Sequence, residues 1–393
     1  MKRKKILVLG FMGGCPIAGV IWQHVHYIVG LRRLGHDVWY VEDRLNYPYD
    51  PVAFNISEDY SYAARTLERL SREHGFEGRW AFCARFKDEP ECAGIGMEQL
   101  RSLYHEADCA LNVCGSHDMH DDLRTIRNLI YVESDPGVEQ IKIDRNETET
   151  LAYLREHHHH FTFGENIGTP SFAVPTHGFR WLPTRQPVVT DLWCATGEAP
   201  PPGSRAPFTT ICNWSTSGKK DIEWRGSKYL WSKSLEFLRF VEAPKRCGET
   251  FEMATDIKEE REKALFESNG WSLVLPHDLS VDWNGYRDYI RDSKGEFTCA
   301  KDQYVRLNTG WFSDRTACYL AAGRPVITQE TGFTAHYGGR EGLLAFSTME
   351  EITGAAAAIR SDYARHSRAA LEIAREYFEA EKVLASLLDR AGV

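Results

Sequence analysis

Short apolar runs alternate with longer amphipathic segments along most of this chain, and that alternation restricts the possible folds more than any other feature. Strands that alternate with helices form a parallel sheet with helices on both faces. In the first half, the apolar runs that fit buried strands are residues 5–10, 37–43, 108–115, 129–137 and 160–168. The segments with helical periodicity between them lie near 20–34, 97–107 and 147–158. The polar, glycine-rich stretch 50–96, with one predicted helix near 60–74, is interpreted as an insertion over the sheet edge.

The second half repeats this pattern after a proline-dense segment. Residues 183–207 contain Ala-Pro-Pro-Pro-Gly, which predicts a linker or surface loop. The later apolar runs lie at 208–214, 249–256, 271–276 and 296–301. The segment 361–393 is amphipathic and predicts a long helix. Two sheet domains of this kind leave a cleft, and ligands bind there beyond the carboxyl ends of the strands.

The net charge and the cysteine content limit which binding partners and which cellular compartment the sequence predicts. The formal net charge of −9 argues against a nucleic-acid partner. No run reaches the roughly 18 apolar residues of a membrane span. The ten cysteines include no Cys-x-x-Cys pair, so we expect reduced thiols, a cytoplasmic protein and no zinc site. The first 15 residues also fit a lipoprotein signal, but the strand–helix–strand pattern from Lys5 onward favours a first strand.

Residues 310–333 carry the most specific local signal. Ser313 is a good N-cap, and Gly323 followed by Pro325 ends the helix that Ser313 begins. The start of a helix presents unpaired N–H groups and the positive end of the dipole, and Arg315 adds a full charge. This helix start therefore predicts an anion site. Because Arg315 lies in the first turn, we expect its removal to leave the fold unharmed.

The sequence YLAAGRPVITQETGF, residues 319–333, resembles the carboxyl-terminal signature of the GT-B glycosyltransferases, a helix that ends in Ala-x-Gly-x-Pro-Val-Val. The resemblance implies an α/β fold class with two Rossmann-like parallel-sheet domains that face a cleft. Together with the strand pattern, it implies an acceptor-side N-terminal domain at 1–185 and a linker at 186–207. A nucleotide-sugar domain would follow at 208–375, and a helix at 376–393 would pack back on the first domain.

The chain departs from that family in two places. Retaining members often carry Glu-x7-Glu before the closing glycine, and the aligned positions here are Gly310 and Cys318. Plant-type members place His-Cys-Gly before the same helix, where this chain has Asn308-Thr309-Gly310. The resemblance is therefore to a distant or separate branch, and the missing glutamates favour inversion at the anomeric carbon.

The resemblance also implies where a nucleotide-sugar donor would bind. The helix start supplies Ser313, Asp314, Arg315 and Thr316 for the diphosphate. The candidates from other loops at strand ends are Gly13, Gly14, Trp214, Lys219, Lys220, Lys301, Glu330, Thr331 and Gly332. Glu330 would accept from sugar hydroxyls, and the amides of Thr331 and Gly332 would donate. A plain capped helix, a polar turn and solvated lysines are the alternative interpretations.

Polar loops after the third and fourth strands supply candidates for a catalytic base. These are His117, Asp118 and Asp135, with His24 next. His117 and His120 also have the spacing of a metal pair. No Asp-x-Asp is present, and metal-dependent GT-A enzymes use that pair to hold a divalent ion. We therefore expect no metal and no other cofactor, with helix amides and cationic side chains neutralising the leaving group.

The expected function is transfer of a sugar from a nucleotide-diphosphate sugar to a hydroxyl of a small-molecule or glycan acceptor. A nucleotide-sugar epimerase of the same fold and a non-catalytic nucleotide-sugar-binding module are the alternatives, because the motif does not name the reaction. A Rossmann-type cofactor enzyme is disfavoured by the absence of Gly-x-Gly-x-x-Gly. The sequence does not determine the sugar, the nucleobase, the acceptor or the oligomeric state.

Overall fold

The computed structural model describes residues 2–194, 196–197, 206–215, 220–339 and 341–393. The strands of the first half are β1 (Lys5–Leu9), β2 (Asp37–Arg44), β3 (Tyr49–Asp50), β4 (Asn55–Ile56), β5 (Trp80–Ala84), β6 (Glu91–Gly94), β7 (Cys109–Val113), β8 (Leu129–Glu133), β9 (His159–Thr162) and β10 (Trp181–Pro183). Eight of them form one sheet in the order β10-β9-β8-β7-β1-β2-β5-β6, in which only β6 is antiparallel. The remaining two, β3 and β4, form a separate hairpin.

The strand order of this first sheet reverses between β1 and β7. Later strands are added outward from β1 through β2 on one side and outward from β7 on the other. Loops that follow two strands at such a point diverge and leave a crevice. The covering helices are α1 (Ala18–Arg33), α2 (Ser61–Glu73), α3 (Met97–Glu106), α4 (Val138–Asp144) and α5 (Thr148–Arg155).

A second sheet of six strands, all parallel, follows in the order β15-β14-β11-β16-β17-β18. The strands of the second half are β11 (Phe208–Ile211), β12 (Ile222–Trp224), β13 (Ser227–Tyr229), β14 (Phe251–Ala254), β15 (Trp271–Val274), β16 (Gly295–Thr298), β17 (Val326–Gln329) and β18 (Leu343–Phe346). Here β12 and β13 pair as a hairpin outside the sheet. The order reverses between β11 and β16, which creates a second crevice. Two parallel-sheet domains confirm the predicted fold class.

The helices of the second half cover this sheet and return to the first one. They are α6 (Ser234–Arg239), α7 (Ala243–Cys247), α8 (Glu260–Ser268), α9 (His277–Val281), α10 (Trp283–Asp292), α11 (Asp302–Arg306), α12 (Asp314–Ala321), α13 (Thr334–Tyr337), α14 (Met349–Ser361), α15 (Tyr363–Ile373) and α16 (Ala380–Arg390). None of the described helices is long and apolar enough to cross a membrane.

The predicted C-terminal helix is broken rather than continuous. A π-helical turn, Ala374–Phe378, follows α15, and Glu379 is extended before α16 begins. At this break the Val188 amide donates to Phe378 O at 2.7 Å, so the outgoing and returning segments are paired. Beyond it, α16 packs against α1 of the first domain. A Cβ on Gly30 would lie only 2.7 Å from Leu384 Cδ1 and 2.8 Å from Ala380 Cβ, so this approach requires glycine.

Two other expectations were wrong. The stretch 50–96 is not an insertion over the sheet edge, because its strands β5 and β6 extend the sheet beyond β2. The cysteines are not all reduced, because Cys83 and Cys92 form a disulfide between β5 and β6 while the other eight are free. The domain boundaries remain predictions, and residues 198–205 of the predicted linker lie outside the described part of the chain.

Candidate functional site

A cavity of about 680 Å³ lies between the two domains, where the crevices of the two sheets face each other. We call it the cleft cavity. Its first-domain wall includes Gln23 on α1, Cys114 after β7 and Asp135 after β8. Its second-domain wall includes Asn213 after β11 and Ser313 at the start of α12. Cys114, Asp135 and Asn213 follow the carboxyl ends of strands, as expected for a ligand site in this architecture.

The second-domain wall is cationic. Lys220, Lys233, Lys301 and Arg315 all line the cavity. A cluster of positive side chains in one concave wall favours an anionic ligand. The environment of each of these side chains differs, and that difference decides which of them is available to bind.

Lys233 precedes α6 and is only 8% exposed. Within the described part of the chain, its ammonium has no hydrogen bond or ion pair, and its one recorded contact is the Trp311 ring, 5.9 Å from the ring centre. Burial, together with the charge of Arg315, lowers the pKa of Lys233 to about 8. A buried cation without a counter-ion is costly, so this position favours an arriving anion.

The ammonium of Lys301 is already paired with a carboxylate of the first domain. It forms a 2.6 Å ion pair with Asp135 and lies 3.3 Å above the centre of the Trp231 ring. Burial lowers the pKa of Lys301 to about 8, against the opposing effect of Asp135. Burial alone would raise the pKa of Asp135, but Lys301 and Lys220 outweigh burial, and the pKa lies below its usual value. The Tyr304 hydroxyl also donates to Asp135.

Arg315 does not present the free guanidinium that the sequence suggests. Its Nε donates to Glu296 Oε1 at 2.6 Å, and its two other nitrogens donate to Thr298 Oγ1 at 2.8 Å and to Ile211 O. Glu296 is fully buried. The Arg315 guanidinium therefore links α12 to β11 and β16. The residue also lines the cavity. These contacts argue against the expectation that removal of Arg315 leaves the fold unharmed, because its loss would strand a buried carboxylate.

The rest of the helix start divides between the cavity and the core. Ser313 and Asp314 line the cavity, whereas Thr316 is fully buried. The Asp314 carboxylate accepts from Gln23 Nε2 at 3.3 Å. Burial and the nearby Asp135 carboxylate raise the pKa of Asp314 to about 7. This carboxyl group therefore titrates near neutral pH on the wall of the cavity.

The loop after β17 and the loop after β1 satisfy their own polar groups. Glu330 Oε1 accepts from the amides of Thr331 and Gly332, so these two amides are not free to donate to sugar hydroxyls as predicted. The amides of Gly13 and Gly14 likewise donate to the buried Glu42 carboxylate. None of these five residues lines the cleft cavity.

Trp214 also lies away from the cavity. It packs against Phe266, with ring centres 5.2 Å apart, and donates to Glu262 at 2.7 Å. Lys220 faces the cavity, with its ammonium 4.3 Å above the Trp231 ring centre. Lys219 lies outside the described residues.

The three base candidates occupy different environments. His117 is buried, its Nε2 accepts from the Asp43 amide at 3.0 Å, and its Nδ1 therefore donates to Ser116 Oγ at 2.9 Å. Burial lowers its pKa to about 3, so this ring is a neutral structural group away from the cavity. Asp118 is exposed on the cavity wall, and Asp135 is held by Lys301. His24, the fourth choice, is buried with its pKa lowered to about 4 by burial.

A smaller chamber of about 310 Å³ adjoins the cleft cavity and shares Asp135, Lys220 and Trp231 with it. Glu133, the last residue of β8, borders this chamber and is almost fully buried. Its carboxylate accepts from Gln140 Nε2, and burial raises its pKa to about 8. Sequence reasoning missed Glu133, Lys233, Trp231 and Trp311, because each is a single side chain within an otherwise ordinary strand end or loop.

Comparisons with known proteins identify the architecture. No protein-family model matches this sequence, and no curated protein matches it either. A glycosyltransferase from Rickettsia africae has a similar structure, with 10% identity, TM-score 0.54, and 100% of this chain and 98% of that chain covered. An alpha-glucosyltransferase in complex with UDP and a 13-mer DNA gives 12% identity, TM-score 0.58 and full coverage of both chains. HepE from Anabaena, in complex with UDP and glucose, gives 12% identity, TM-score 0.54 and coverage of 99% and 100%.

Proposed function

We propose that this chain, which has the GT-B fold, transfers a sugar from a nucleotide-diphosphate sugar to an acceptor hydroxyl without a metal ion. The observation that carries the proposal is Lys233, a largely buried side chain on the wall of the cleft cavity whose ammonium has no ion pair among the described residues. A buried cation is stabilised when an anionic ligand supplies the missing counter-charge. The diphosphate of a nucleotide-sugar is such a ligand. UDP-glucose is the first donor to test, because UDP and glucose occupy the HepE structure.

The chemistry follows from this placement of charge. As the bond between the anomeric carbon and the diphosphate oxygen breaks, positive charge develops on the sugar and negative charge on the diphosphate. Lys233, Lys220 and the amides at the start of α12 line the cavity and would stabilise that negative charge. We assign the base role to Asp118, because it is on the cavity wall and His117 is not. It would take the proton of the acceptor hydroxyl as the new bond forms.

The decisive experiment is Lys233→Met, measured by calorimetric titration of UDP and by urea unfolding. We expect UDP binding to weaken about tenfold or more, since a charge-assisted contact is worth about 1.5–3 kcal/mol. We expect uridine binding to change little. Unfolding should become harder, because methionine removes a buried unpaired charge. The matched control is Lys258→Met, whose side chain is 78% exposed in the same domain.

Unchanged UDP affinity in Lys233→Met would contradict the donor site. Turnover is then measured as UDP release from UDP-glucose with an acceptor panel, in excess EDTA. Complete loss of turnover with EDTA, restored by magnesium or manganese, would refute metal independence. Isomerisation of the free nucleotide-sugar would identify an epimerase, and tight binding without turnover would identify a binding module.

A further inference from the structure

Exposed apolar side chains concentrate in one region of the surface. Among the described residues, eight large apolar side chains are exposed, and five of them belong to residues 45–56. These five are Leu45, Tyr47, Val52, Phe54 and Ile56, with 47 to 70% exposure. Leu275 of the second domain, at 76%, is a sixth, and we call these six side chains the hairpin patch. Soluble proteins seldom group such side chains unless the group binds something.

The hairpin that carries the patch is held in place. β3 and β4 pair with each other, and the Tyr49 amide donates to Gly14 O at 2.9 Å. Phe54 has φ of +52°, a left-handed conformation that is unfavourable for a bulky side chain. Its ring stacks on His277 of the second domain, with centres 4.4 Å apart. The hairpin therefore reaches across the cleft from one domain to the other.

The hairpin patch lies next to the cleft cavity, because several of its side chains are chain neighbours of lining residues. Arg44 and Asn46 line the cavity on the first-domain side, and they alternate with the exposed Leu45 and Tyr47. On the opposite side Pro276 lines the cavity directly after Leu275. The patch is thus joined through the chain to lining residues on both sides of the cavity.

The charge of the hairpin indicates what kind of ligand fits. Residues 45–56 contain no lysine, arginine or histidine. Their one carboxylate, Asp50, already accepts from the amides of Val52 and Ala53. Anionic bilayers are bound by clusters of basic residues, and this segment has none. An uncharged apolar ligand matches the surface better than an anionic one.

We propose that the hairpin patch binds an uncharged apolar portion of the acceptor, a hydrocarbon chain or aromatic rings, while the acceptor hydroxyl enters the cleft cavity. This inference rests on the proposed function for the identity of the cavity. It adds a class of acceptor, an amphiphilic molecule with a polar, hydroxyl-bearing end and an apolar end.

The test uses alkyl β-D-glucosides below their micelle-forming concentrations, titrated calorimetrically into the UDP-saturated protein. Affinity should rise about two- to fourfold for each added methylene from hexyl to octyl, and methyl glucoside should bind far more weakly. The double variant Phe54→Asn with Ile56→Thr should lower octyl glucoside affinity about tenfold or more. Asparagine tolerates the left-handed position and threonine favours strands, so the fold is preserved. Leu235→Gln with Leu265→Gln is the control at exposed leucines elsewhere.

An affinity that does not depend on chain length, or that survives in the double variant, would overturn the proposal. Two other occupants would also overturn it. Sedimentation with phosphatidylcholine vesicles that the double variant abolishes, without a chain-length effect, would assign the patch to a membrane surface. A dimer that the double variant converts to monomer would assign it to a second copy of the chain. Failure of the proposed function is distinguishable, because it would appear as absent UDP binding. The chain-length series is then repeated without nucleotide, which tests the hairpin patch by itself.

Discussion

At the scale of single residues, the cationic wall of the cleft cavity is only partly available to a ligand. Arg315 already has Glu296 as its counter-ion, and Lys301 has Asp135. Lys233 has neither a hydrogen bond nor an ion pair among the described residues. The affinity for an anion should therefore depend on Lys233 more than on the arginine that the sequence motif emphasises.

The pH dependence of UDP binding should report this lysine. Burial holds the pKa of free Lys233 at about 8, and a bound diphosphate would raise it. Binding should therefore be tightest below pH 8 and weaken as the pH rises through 8 towards the higher pKa of the complex. UDP titrations at about pH 6.5, 7.5, 8.5 and 9.5 measure this change in affinity. A spacing of about one pH unit is enough to follow a pKa shift of that size. Lys233→Arg should flatten the curve, and an equally steep curve in that variant would assign the effect to Lys301, with a pKa of about 8, or to Asp314, with a pKa of about 7.

Arg315→Ala should damage the fold more than the binding. The change leaves Glu296 buried without its cation, and breaking such a pair costs about 3–5 kcal/mol of unfolding free energy. Urea unfolding measures the loss. The double variant Arg315→Met with Glu296→Gln should recover part of it, because neither charge is then stranded. An unchanged urea midpoint combined with weaker UDP binding would return Arg315 to the donor site.

Some of the side chains that the sequence predicts for the candidate site line the cleft cavity, and others do not. Lys220, Lys301, Ser313, Asp314, Asp118 and Asp135 line the cavity, as a position beyond a strand end predicts. His117 shares that position, yet its ring turns into the core to accept from the Asp43 amide. Lys233 lies in an ordinary polar-apolar pattern, so only its three-dimensional neighbours reveal its isolation. Side-chain direction within a loop is decided by tertiary contacts that a linear pattern does not contain.

At the scale of elements, the runs that were predicted best are the strands buried on both faces. β1, β7 and β8 are apolar except for one residue each, which is the pattern of a parallel sheet covered by helices. β5 was missed because it lies within a long polar stretch. The C-terminal helix was predicted as continuous because helical periodicity persists across the break at Glu379.

The disulfide between β5 and β6 gives a countable prediction. Unfolded, unreduced protein should react with a thiol reagent at eight cysteines, and reduced protein at ten. Reduction should lower the unfolding free energy by about 2–3 kcal/mol, because the bond closes a loop of about ten residues. Cys83→Ala with Cys92→Ala should show the same loss and eight thiols under both conditions. Ten reactive thiols without reductant would show that the strands pair without the covalent link.

At the scale of the whole molecule, the two domains are joined by an ion pair, hydrogen bonds and a shared apolar core. Asp135 pairs with Lys301, Trp22 donates to Trp283 O at 2.7 Å, and Trp311 donates to Ser134 O at 2.8 Å. One core cluster continues from β1 through α1 to α12 and α16. These contacts connect the two walls of the cleft cavity directly.

The contact between α1 and α16 can be tested with one substitution made at two sites. Gly30→Ala would place a methyl group within 2.8 Å of Ala380, so we expect a loss of about 1–3 kcal/mol in unfolding free energy. Gly354→Ala, in α14, meets nothing within 4 Å and should instead stabilise by about 0.5–1 kcal/mol. Chemical unfolding of both variants measures the difference. Equal stabilisation would show that α16 does not rest on Gly30.

The return of α16 to α1 has a consequence for how the protein is made on the ribosome. Synthesis proceeds at about 5–20 residues per second, and domains generally fold as they emerge. Gly30 packs against Ala380 and Leu384, which are synthesised some 350 residues later. The apolar surface around Gly30 therefore stays uncovered for roughly 20–70 seconds at that rate. Folding of the first domain before that point therefore remains incomplete at this groove.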